Sequence, residues 1–124
     1  MAAMLDREDK HQAALFQWAR VAMRAHPELA LLLHVANGGY RRKAEARILA
    51  GMGVKHGVPD LCLPVARHGF GALWIELKRQ GTHKLSDHQV WWLAQLNAHG
   101  HKAVVAIGWE QARDQLLEYL GRIE

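Results

Sequence analysis

The sequence predicts an α/β fold, a mixed four-stranded sheet flanked by helices, and three observations lead there. Strand-like apolar runs alternate with segments of helical length in the order helix, strand, short helix, strand, strand, helix, strand, helix. The second and third strand runs, "LCLPV" and "ALWIELK", are joined by the turn-forming stretch "ARHGFG", which makes them an antiparallel hairpin. The last strand run, "KAVVAIG", follows only after a helix, so a meander is extended by a helical crossover.

Each element has its own signal. Asp6 can cap a first helix from Arg7 to about Ala25, with Leu15, Trp18 and Ala22 on its apolar stripe, ended by His26-Pro27. "LALLLHVANGG" reads as a strand closed by the turn Asn37-Gly38-Gly39. A short helix from about Arg42 to Ala50 stops in "GMG". Ser86 opens a helix that runs to about His99 and ends at Gly100. Trp109 to Leu120 forms the final helix, with Gly121 just past its end.

At 124 residues and 50% hydrophobic, the chain suits one domain with a real core, residues 1–124. No apolar run approaches the roughly 18 residues of a membrane span, and "MAAMLDREDK" lacks a signal-peptide core. A soluble, cytoplasmic protein is expected. The lone Cys62 excludes an internal disulfide and any zinc site built on several cysteines, and should pack as a small hydrophobe. Phosphate-binding glycine signatures of nucleotide sites are absent, so no nucleotide cofactor is expected. The nine histidines are scattered without metal-site spacing and read as surface residues. Trp91 and Trp92 read as core or subunit contacts, with stacking on exposed bases as the lesser alternative.

Charge is distributed unevenly. The formal net charge is +4, but from Gly38 to Gly57 the bases Arg41, Arg42, Lys43, Arg47 and Lys55 face only Glu45. This patch beside a glycine turn suits a polyanion.

The chemistry is expected on the hairpin. Glu76 and Lys78 are two residues apart in an apolar strand and so share a face, while Leu73, Ile75 and Leu77 point the other way. With the turn centred at His68 or Gly69, Asp60 falls opposite Glu76 or Lys78 on the same face; a shift by one residue would break this. Two half-buried carboxylates call for a compensating cation. Mg2+ takes hard oxygens, here Asp60, Glu76 and the backbone carbonyl of Leu77. Lys78 beside it can orient a water or stabilise negative charge, which is equipment for phosphodiester hydrolysis. On spacing alone, a surface ion pair between Glu76 and Lys78 is the simpler reading. Pro59-Asp60 on the partner strand and the preceding basic patch turn the argument.

"PD", fifteen residues and then "ELK" resembles the PD-(D/E)XK nuclease superfamily. The stretches "EDKHQAALFQWAR", "HVANGGYRRKAEARILAGMGVKHGVPDLCLP", "LWIELKRQGTHKLSDHQVWWLAQL" and "GHKAVVAIGWEQA" resemble a VRR-NUC (virus-type replication-repair nuclease) domain from about Glu8 to Leu120. That resemblance implies a restriction-endonuclease-like core (αβββαβ). It places the metal-binding acids on Asp60 and Glu76, the catalytic lysine on Lys78, a first-helix acid on Glu8 and a glutamine on Gln89. It implies Mg2+ as cofactor, with Mn2+ able to substitute. It also implies a stand-alone phage or bacterial type of enzyme, a homodimer acting on branched DNA with four-way (Holliday) junctions preferred.

Some of these positions carry a second reading. Glu8 already suits the first turn of a helix through the dipole, but Gln12 lies one turn on, and the acid can act through a water or a second metal ion. Ser86 to Gln89 spells a capping box, so Gln89 is a cap, a site residue or both. Asn37, Gly38 and Gly39 form a turn whose amides can approach phosphate, with Arg41, Arg42 and Lys43 close behind. Lys55, Arg79 and Lys84 can extend the DNA track. A flap or nicking nuclease and a non-catalytic nucleic-acid-binding module remain the alternatives.

Overall fold

Alternation along the central strand decides where the core sits. In the computed structural model, which describes residues 7–36, 43–81 and 84–121, strand β3 (Leu73–Lys78) buries Leu73, Ile75 and Leu77 in one cluster. Leu15 and Ala19 of helix α1 (Glu8–Ala22) and Ala112, Leu116, Tyr119 and Leu120 of helix α4 (Trp109–Gly121) close over that face. Helix α3 (Asp87–Ala98) packs on strand β4 (Lys102–Ile107). Strands β1 (Leu33–His34) and β2 (Leu61–Leu63) complete the sheet in the order β1-β2-β3-β4. β1 and β2, and β2 and β3, pair antiparallel, whereas β4 joins β3 in parallel through the α3 crossover. Among the described residues no helix is long and apolar enough to cross a membrane.

The hairpin register depends on an irregularity. His68 and Gly69 both have left-handed φ, 54° and 83°, and sit between the bridged residues Arg67 and Phe70, the form of a two-residue hairpin turn. Counting back from that bridge without interruption would set Asp60 opposite Leu77, on the wrong face. The observed pairs Leu63 with Leu73, Cys62 with Trp74 and Leu61 with Ile75 are displaced by one residue. The extra residue is absorbed around Pro64, where Val65 N donates to Leu63 O at 2.8 Å in a three-residue turn. Continued one step, this register brings Asp60 opposite Glu76.

Several boundaries differ from expectation. The start of the run "LALLLHV" belongs to a 3-10 turn, Pro27–Leu31, and only Leu33–His34 is strand. Proline at the first helical position starts a turn there, and an apolar run alone does not distinguish strand from helix. The capping position of α1 falls on Arg7, which makes no side-chain cap; Asp6 lies outside the described residues, as do Asn37, Gly38, Gly39, Arg41 and Arg42. Helix α2 (Lys43–Gly51) runs one residue past the expected end at Ala50, and no described residue in it is buried. Gly121 lies within α4 instead of following it. Trp91 is 56% exposed, which excludes a core role for it. Cys62 is buried as expected, and burial pushes its thiol up to about 11.

Candidate active site

The second face of β3 is buried as well. Glu76 is 2% exposed and Lys78 8% exposed, which two charged residues tolerate only when partnered. Their partner comes from α3. Gln89 Nε2 donates to Glu76 Oε2 at 3.0 Å, and Lys78 Nζ donates to Gln89 Oε1 at 3.2 Å. The ammonium also lies 3.7 Å from Glu76 Oε2.

Gln89 caps its helix at the same time. Its amide donates to Ser86 Oγ at 3.1 Å, and its Oε1 accepts from Ser86 N at 2.9 Å. The two readings of Gln89 are therefore one arrangement: the capping box fixes the carboxamide, and the carboxamide orients Glu76 and Lys78. The loop between α2 and β2 fits closely against the start of α3. A Cβ on Gly57, whose φ is 85°, would meet the His88 backbone at 2.6 Å.

Asp60 approaches from β2. Its Oδ2 accepts from Leu77 N at 2.8 Å, so the carboxylate is tied to the strand between Glu76 and Lys78. Backbone groups alternate edges along a strand, and the Lys78 carbonyl accepts from Gly108 N on the β4 side at 2.7 Å. The Leu77 carbonyl therefore lies on the Asp60 side.

Electrostatics at the pair are strained. Burial, then the charge of Asp60 and a hydrogen bond to it, push Glu76 up to about 8; Lys78 opposes and Glu8 adds to the rise. Burial also raises Asp60, opposed by the Leu77 amide, the hydrogen bond from Glu76, His34 and Lys78. Two carboxyls compete for one ammonium. This is the environment that a divalent cation relieves. The donors fit a hard ion that prefers oxygen: two carboxylates and a backbone carbonyl on one side of the strand. Among the described residues no group of three or more His, Cys, Asp or Glu side chains converges, so a nitrogen- or sulfur-rich site is not formed by them.

Glu8 stands exposed at the start of α1, near enough for its charge to act on Glu76. Lys43, Lys55 and Lys84 are exposed and Arg79 is half-buried.

The structure adds residues that sequence reasoning overlooked. His34 Nδ1 lies 3.0 Å from the Asp60 carbonyl, and its charge acts on the Asp60 carboxylate. Nothing local marks it, because the pairing of β1 with β2 joins positions 26 residues apart. His11, on α1, accepts from the backbone of α4.

Comparison with known proteins shows the family and the fold. The family model for the VRR-NUC domain matches residues 6–109. A solved structure described as a VRR-NUC domain protein is similar to this chain with a TM-score of 0.78 and 28% identity, covering 92% of this chain and 88% of its own. No curated protein matches.

Proposed function

Because the chain belongs to the VRR-NUC family of PD-(D/E)XK-type nucleases, we propose that it is a Mg2+-dependent DNA endonuclease specific for branched substrates, with the four-way junction preferred. The observation that carries this reading is the closed cluster of Asp60, Glu76, Lys78 and Gln89 at the carboxyl end of β3.

Asp60, Glu76 and the Leu77 carbonyl would hold the cation, with Glu8 contributing through a water or at a second ion. When bound, such an ion supplies Lewis acidity, polarising a phosphoryl oxygen and acidifying water. Lys78, its ammonium aimed by Gln89 and Glu76, orients the attacking water and stabilises the negative charge that develops at phosphorus. Water adds to phosphorus, one P–O ester bond breaks, and the leaving oxygen takes up a proton. Gln89 holds the Glu76 carboxylate and the Lys78 ammonium apart from other partners, so neither must reorganise during the reaction.

Lys43, Lys55, Arg79 and Lys84, with Asn37, Gly38, Gly39, Arg41 and Arg42, form the track for the phosphate backbone. Residues 1–124 act as one nuclease domain in the cytoplasm, and two copies form a homodimer. A twofold pair of sites suits a junction that needs two symmetric nicks.

The test is cleavage of end-labelled four-way junction, flap, duplex and single strand, with Mg2+, Mn2+ or EDTA, by wild type, Asp60→Ala and Lys78→Ala. Metal-dependent paired nicks confined to the junction and lost in both variants support the whole reading. Flap-only cutting moves the protein to another substrate class. Junction binding without cutting in either metal makes it a binding module.

A further inference from the structure

Helix α4 starts after a residue that has no side chain, and Gln111 of its first turn reaches back to accept from Ile107 N at 2.9 Å. Gly108 precedes it with φ 85°, and a Cβ there would lie 3.0 Å from Gln80 Nε2, so the usual Ser, Thr, Asp or Asn is disfavoured by both strain and space. The exposed amide is met from elsewhere in the chain. Trp109 N donates to His11 Nδ1 at 3.0 Å, across 98 positions of sequence. An accepting Nδ1 requires a neutral imidazole with its proton on Nε2.

The preceding amide reaches in the other direction. Gly108 N donates to the Lys78 carbonyl at 2.7 Å. Two consecutive amides at the start of α4 thus connect α1 on one side to the Lys78 end of β3 on the other. His11 lies three positions after Glu8, on the same side of α1. Glu8 is exposed, and its helix begins at an exposed Arg7 without a side-chain cap. The hydrogen bond of His11 ties the first turn of α1 to the start of α4.

Resting on the reading of Asp60, Glu76 and Lys78 as the cleavage site, we propose that His11 is a positioning residue for the nuclease. By accepting from Trp109 it holds the first turn of α1, and Glu8 with it, against the end of the β3–β4 pair. It touches no reacting atom and acts through Glu8. Loss of the tie lets the first turn move, so Glu8 no longer presents its carboxylate to the cation held beside Glu76.

The full chain carries the test, with His11→Ala, His11→Asn, His11→Gln, Glu8→Gln and the double variant His11→Ala/Glu8→Gln. The Mg2+ dependence of single-turnover junction cleavage is measured, together with Mg2+ affinity by calorimetry and exchange of the Trp109 amide by NMR. His11→Ala is expected to need about tenfold more Mg2+, the scale seen when a group supporting a ligand is lost. Glu8→Gln shows the same displacement, and the double variant is no worse than Glu8→Gln. His11→Asn, whose Oδ1 can stand where Nδ1 does, restores most of the affinity and keeps the Trp109 amide protected. His11→Gln keeps bulk without an acceptor at that place, behaves as His11→Ala, and takes its part should His11→Ala not fold.

Unchanged Mg2+ dependence in His11→Ala and His11→Gln, or effects of His11 and Glu8 that multiply, would overturn the proposal. So would a Glu8→Gln variant indistinguishable from wild type, and activity lost in Asp60→Ala would then leave the cleavage site itself standing. If wild type cuts no DNA, the nuclease assignment of the site fails separately. The calorimetric affinities then decide on His11: equal, non-multiplying losses in the two single variants support it and any other pattern overturns it.

Discussion

Glu76→Gln tests whether the site is held under electrostatic strain that a cation relieves. In the folded chain burial and the Asp60 charge move Glu76 from an ordinary 4.5 to about 8. An acid whose folded pKa is raised retains its proton in the native state after the unfolded chain has released it. The native state then binds more protons, and stability falls as pH rises. This contribution is fully present below pH 4.5, declines between 4.5 and about 8, and is lost above. The slope in that window approaches about 1.4 kcal/mol per pH unit, giving an upper bound of about 5 kcal/mol over the whole interval. Asp60 is displaced in the same direction by burial and adds a slope of the same sign. Glutamine resembles the protonated acid: it can still accept from Gln89 and donate to Asp60. Urea unfolding followed by circular dichroism in EDTA from pH 5 to 9 should show wild-type stability falling by several kcal/mol while Glu76→Gln stays much flatter and is the more stable protein at pH 8. Mg2+ at a hundred times its dissociation constant should restore about 2.7 kcal/mol to wild type, with little gain in the variant. Parallel pH profiles for the two proteins, or equal rescue by Mg2+, would refute the reasoning.

Gln89→Glu separates the two tasks of that side chain. Glutamate preserves a capping box, so urea stability at pH 5 should remain within about 1 kcal/mol of wild type. It cannot donate to Glu76 once ionised and adds a third carboxyl, so cleavage at pH 8 should fall by at least about tenfold; unchanged kinetics would remove Gln89 from the site. Deleting Pro64 removes the extra residue between the hairpin turn and the β2–β3 ladder. If the turn persists, the uninterrupted ladder still pairs Leu63 with Leu73 and keeps Asp60 opposite Glu76, so calorimetry should find Mg2+ binding retained; affinity lost in a chain that still folds would contradict the register argument. Gly57→Ala forces a Cβ to within 2.6 Å of His88 at a left-handed φ. It should cost about 1–3 kcal/mol in urea unfolding and loosen the start of α3, and a neutral result would show that the loop can shift freely.

Legibility followed the range of the interactions. Glu76 and Lys78 share a face because side chains alternate along any strand, and that needs no knowledge of neighbours. The Ser86–Gln89 box and the order of elements were equally local. Read the same way, "LALLLHV" misled, since one apolar run serves a 3-10 turn or a strand and only Pro27 hinted at the former. The opposition of Asp60 and Glu76 was foreseen conditionally, and the observed turn alone would have broken it. Pro64 rescues the register by absorbing one residue. A surface ion pair was the simpler reading of Glu76 and Lys78 from spacing. Both are buried, because α3 brings Gln89 over a face that strand alternation would leave open.

The sequence by itself determined the element order, the residue types of the site and the sharing of one strand face by its acid and lysine. Those follow from periodicities of two and 3.6 and from nearest neighbours along the chain. Only the tertiary structure decided that Gln89 joins its cap to the site, that His34 faces Asp60, and that His11 ties α1 to α4. Each of these depends on which backbone amides and carbonyls remain unpaired once the sheet and helices are packed. That is a property of the assembled fold, and no local stretch of chain contains it.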